Sequence, residues 1–97
     1  MEPFNIKITA QKQPVVLTVL PTEKGYFKLI YYGAILVGLK KTAPETWTLV
    51  STEEIEAGDL PFYIRTSADD RVVLTLDKKF TALAGKAIEA EVAEQNS

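Results

Sequence analysis

Apolar and polar residues alternate with a period of two over most of Phe4–Val50. Phe4-Asn5-Ile6-Lys7-Ile8-Thr9 does so without a break, the mark of a strand with one buried face. Val15–Leu20 follows, with Val15, Leu17 and Val19 on one side and Val16, Thr18 and Leu20 on the other. Pro14 can open that strand but would not sit inside a central one. The longest β-prone run is Tyr26–Lys41, YFKLIYYGAILVGLKK, apolar on nearly every second position whichever phase is counted. Split at Tyr32-Gly33, it reads as strands Tyr26–Tyr31 and Ala34–Lys40, joined by a tight turn in which glycine supplies positive φ. That register sets Ile30 opposite Ile35, Lys28 opposite Val37 and Phe27 opposite Gly38. One long strand bulged at Gly33 is the alternative, but it far exceeds the usual length of about 5–6 residues. Thr46–Val50 is a fifth strand, with Trp47 and Leu49 as its inward pair.

Beyond Val50 the period changes. Ser51-Thr52-Glu53-Glu54 has the form of a capping box and Gly58 that of a left-handed stop. A short helix is therefore predicted over Thr52–Ala57, burying Ile55. Asp59–Arg65 stays open between an alternating strand (Leu60, Phe62, Ile64) and a helical turn with Pro61 in its first turn. Thr66–Asp70 reads as a loop and Arg71–Leu76 as a sixth strand. Asp77 is placed to cap a helix from Lys78 to about Glu94, whose apolar residues Phe80, Leu83, Ala84, Ala87, Ile88 and Val92 form one stripe. Gly85 costs that helix roughly 1 kcal/mol relative to alanine, and would suit close approach to a sheet. The expected fold class is α+β: an antiparallel β-meander of about five to six strands, one short helix after strand five, and a C-terminal amphipathic helix packed on one sheet face. The chain, 1–97, reads as one domain.

Composition narrows the chemistry more than it identifies it. The sequence has neither cysteine nor histidine. Disulfides, thiolate catalysis and cysteine-ligated zinc are excluded, and the usual general base is missing. A net charge of −2 argues against duplex nucleic acid or an anionic membrane as partner. Met1-Glu2-Pro3-Phe4 lacks the form of a secretory signal, and no run approaches the ~20 apolar residues of a membrane span, so a cytoplasmic location is expected.

The carboxylates Glu53, Glu54, Glu56 and Asp59 lack the loop spacing of a calcium site and read as capping and solvated charge. Glu45 or Asp59 meeting a second acid in space is not excluded by sequence, but nothing predicts it. Ser51, Ser67 and Ser97 lack a nucleophile-elbow context. No catalytic residue, metal or cofactor is expected, and the chain reads as no enzyme.

Three binding readings stay open. Neither face of the central run alternates as a wet sheet face should. One face carries Phe27, Leu29, Tyr31, Ala34 and Leu36, and is assigned to the helix. The other carries Tyr26, Ile30, Tyr32, Ile35, Val37 and Leu39, and is assigned to a protein partner or a second copy of the chain. A small-ligand pocket between curved sheet and helix is the alternative, lined by Trp47, Tyr63 and Arg65, with the arginine anchoring an acid. Tyr26, Lys28, Tyr32, Lys40 and Lys41 also interleave rings and cations, as surfaces that stack single-stranded nucleic acid do. The acidic balance favours lysines guarding a sheet edge instead.

Overall fold

The computed structural model describes residues 2–43, 46–56, 58, 60–63 and 76–95. Five strands, β1 (Phe4–Ala10), β2 (Gln13–Pro21), β3 (Tyr26–Tyr31), β4 (Ala34–Ala43) and β5 (Thr46–Val50), pair antiparallel in chain order. A helix, α1 (Lys78–Gln95), completes the fold. It lies against β1 and β5, the two ends of the sheet, and against β4. One helix can touch both ends only if the sheet curls round it, so the meander forms a half-barrel with α1 along its inner face.

The alternation of β1 and β2 sets up that inner face. Phe4, Ile6 and Ile8 point inward beside Val15, Leu17 and Val19, and all six are buried. Leu29, Tyr31, Val37 and Leu39 continue the core across β3 and β4, and Phe80, Ala84 and Ile88 close it from the helix. Asp77 caps α1 as its side chain predicts, its carboxylate accepting from the Phe80 amide at 2.9 Å. Gly85 does allow close approach. A Cβ there would lie 2.7 Å from Trp47 Nε1, so the indole occupies the space a side chain would take.

The β3–β4 hairpin turns through Tyr32 and Gly33, both at positive φ (51° and 77°), as a two-residue turn of the primed type requires. Ile30 faces Ile35 as expected. One step further the register slips. Leu29 pairs with Val37, Lys28 with Gly38 and Phe27 with Leu39, leaving Leu36 as an extra residue. The expected pairs Lys28–Val37 and Phe27–Gly38 are therefore corrected by a β-bulge at Leu36. A one-residue slip exchanges the two faces of a strand, so Val37 and Leu39 turn inward while Ile35 stays outward. Gly38 still makes room for a ring, but the ring belongs to Tyr26: a Cβ on Gly38 would sit 3.4 Å from Tyr26 Cδ2 and 2.9 Å from Val50 Cβ.

After β5 the expected helix over Thr52–Ala57 does not form. A single 3₁₀ turn, Thr52–Glu54, stands in its place, with the Glu54 amide donating to the Ser51 carbonyl at 3.0 Å. The Glu56 amide, which an α-helix would aim at the Thr52 carbonyl, donates instead to the Tyr26 hydroxyl at 3.2 Å. That bond pulls the segment across the sheet and buries Ile55, 6% exposed, on the outer face. Within the undecided stretch Asp59–Arg65, Pro61–Tyr63 is extended. The Ile35 amide donates to the Pro61 carbonyl and the Tyr63 amide to the Ile35 carbonyl, each at 2.8 Å, forming a parallel bridge between Phe62 and Ile35. Asp59, Ile64 and Arg65, the loop Thr66–Asp70 and all but Leu76 of the predicted sixth strand lie outside the described residues. No helix among the described residues is long and apolar enough to cross a membrane.

Candidate functional site

The six residues assigned to an interaction face do not share one surface. Tyr26, Ile30 and Ile35 point outward, but with Val50 and Ile55 they form a second buried cluster, flanked by Leu20 and Leu60. Val37 and Leu39 belong to the inner core because of the bulge. Tyr32 alone of the six is exposed, at 63%. The outer face is thus covered by Val50, Ile55 and Leu60 of the same chain, and its open remainder lies over β1 and β2. There Thr18 donates to Asn5 at 2.9 Å across the two strands. Val16, 56% exposed, borders a depression of about 380 Å³ with Pro14 and Tyr32. The inward-facing Val15 and Tyr31 line it too, which sets it at the margin of the sheet where β2 begins and β3 ends. The signal for Val16 was present in the sequence as an apolar residue on the polar side of its strand.

Nor does the structure gather the predicted pocket. Trp47 packs on Phe27 at 5.9 Å between ring centroids, whereas Tyr63 packs on Tyr31 at 5.1 Å. Phe27 and Tyr31 lie at opposite ends of β3, so the two rings lie near different ends of the barrel. Arg65 lies outside the described residues. The interleaved rings and cations are likewise dispersed: Tyr26 is buried and Lys41 turns toward the helix.

Trp47 borders a different hollow, an open groove of about 930 Å³ between β5 and α1. Thr46, Trp47, Thr48 and Leu49 form its strand wall, and Asp77, Lys78, Thr81, Lys86 and Glu89 much of its helix wall. At one end the indole Nε1 donates to Glu89 Oε1 at 3.0 Å, and Lys41 Nζ meets the same oxygen at 2.8 Å. The lysine also sits 6.0 Å from the indole centroid. Lys41 first, then the indole N–H, hold the Glu89 carboxyl below the ordinary glutamate range. This knot joins β4, β5 and α1 and fixes the Trp47 ring.

The acidic run after β5 does not converge. Glu56 pairs with Lys24, which lowers the carboxyl pKa and raises that of the amine. Both partners are well exposed, and such pairs contribute little stability. No group of three acidic side chains comes together among the described residues. No family model, curated protein or solved structure matches the chain.

Proposed function

We propose that this chain is a non-catalytic interaction module that self-associates through the open part of its outer sheet face. The observation that carries the reading is the pair Val16 and Tyr32, the two most exposed large apolar side chains among the described residues. They border one depression. On the same sheet Val16 faces Lys7 on β1 and the neighbouring pair is Asn5 and Thr18, so the apolar side chain has polar neighbours. A sequence without histidine or cysteine supports a binding role over a catalytic one. Light scattering across a concentration series tests it. The wild type is expected to dimerise, and Val16→Glu to remain folded but monomeric. A wild type that stays monomeric at every concentration ends the reading.

The groove beside Trp47 favours a second reading, a small-ligand binder, since about 300–1,000 Å³ is the usual size of such sites. Thermal shift against a metabolite panel tests that reading, which predicts a hit whose effect is lost in Trp47→Ala.

A further inference from the structure

The shape of the β5–α1 groove says more than its volume. Its strand wall consists of four consecutive residues, Thr46 to Leu49, so it follows the margin of a strand and not one of its faces. β5 is the last strand of the sheet among the described residues. Alternate backbone groups of such a strand point away from its neighbour and can pair with an incoming chain. The two walls match in length. β5 spans roughly 17 Å at about 3.4 Å per residue, and α1 rises about 17 Å from Lys78 to Glu89.

The charges differ in availability. Asp77 is engaged as the helix cap, and Glu89 is held by Lys41 and the indole. Lys78 and Lys86 are exposed and form no ion pair among the described residues. The groove therefore presents two cations that have no ion pair among the described residues, opposite a strand edge and roughly 12 Å apart along the helix. On an extended chain that distance is close to four residues, and residues four apart share a face.

We propose that this groove binds an extended acidic peptide segment of a partner protein. The segment adds to β5 as a further strand and places two carboxylates, four residues apart, on Lys78 and Lys86. This surface is separate from the Val16–Tyr32 patch, so either proposal can fail without the other.

A displayed library of random nonapeptides, panned on the intact chain, tests it. The enriched peptides are expected to carry Asp or Glu at two positions four apart. They should shift the emission of Trp47, the sole tryptophan. Binding should fall roughly tenfold or more, about 1.4 kcal/mol per tenfold, in the Lys78→Glu/Lys86→Glu double variant. N-methylation of alternate peptide amides should produce a similar loss, which contact through side chains alone would not.

Failure to enrich any peptide overturns the proposal, as does binding indifferent to the lysine changes or to N-methylation. Slow hydrogen exchange at all β5 amides without peptide would mean that the edge is already paired, and overturns it too. Anilinonaphthalene sulfonate quenching Trp47 through Lys86, with no peptide enriched, would assign the groove to a small acid instead.

Discussion

Gly85 and Gly38 are fixed by what lies over them. In α1, Gly85→Ala should gain about 1 kcal/mol of helix propensity, but its methyl group would enter the Trp47 indole. That ring is held by Glu89 and Lys41 and cannot swing aside cheaply. The overlap should win, leaving the variant less stable by about 1–3 kcal/mol in urea unfolding. The opposite sign is expected at the β1–β2 turn, where Gln11 and Lys12 both hold positive φ (50° and 63°). Lys12→Gly removes the Cβ penalty of that conformation and should stabilise the protein by about 1 kcal/mol in the same assay. At this scale the sequence was half legible. A glycine inside a helical stripe announced a close approach, but the ring that fills the space comes from a distant strand, and no local pattern names it. The strained β1–β2 turn gave no warning, because Gln11-Lys12 is not a pair that favours positive φ.

The bounds of the five strands and of α1 were read well, β3 to the residue, but register and faces were read poorly where neither face is wet. β1, β2, β5 and α1 carry clear periods, and their bounds fall within a few residues of those expected. β4 is apolar in both phases, so its pattern is nearly unchanged by a slip of one residue, and the bulge at Leu36 left no trace in it. The failed helix after β5 had correct end signals. They lost to the tertiary bond from the Glu56 amide to the Tyr26 hydroxyl. The contact between β5 and α1 makes a prediction in pH. Glu89 has its folded pKa below the unfolded value, so its contribution is fully present above the ordinary glutamate value of about 4.3 and is lost as pH falls through the lower folded value. Glu89→Gln should melt below the wild type at pH 7, and the gap should close on the acid side of that window. A gap that stays constant from neutral to acid pH would show that the charge of Glu89 adds nothing.

Across the whole molecule, two apolar clusters lie on opposite sides of one sheet, and the outer depends on a segment with little secondary structure of its own. Ile55 anchors that segment. Ile55→Ala should cost about 2–5 kcal/mol, and should expose Ile30 and Ile35 enough for an apolar dye to bind before the main unfolding transition. A single transition with no dye uptake would show the segment to be held by other contacts. Of the six residues assigned to an interaction face, Tyr26, Ile30 and Ile35 thus share the outer apolar cluster, and the chain itself covers them. Sequence could not show this, because the cover comes from Val50, Ile55 and Leu60, in a stretch whose periodicity is too short to orient anything. The bulge that divides the six residues has one more consequence. A strand is read two residues at a time, and Leu36 acts on β4 as a frameshift does on a message. Substituting Leu36 would change one side chain, whereas deleting it would put Val37 and Leu39 back on the outer surface. β4 should therefore tolerate changes of residue identity far better than changes of length, and its lineage should record substitutions at this position and no deletions.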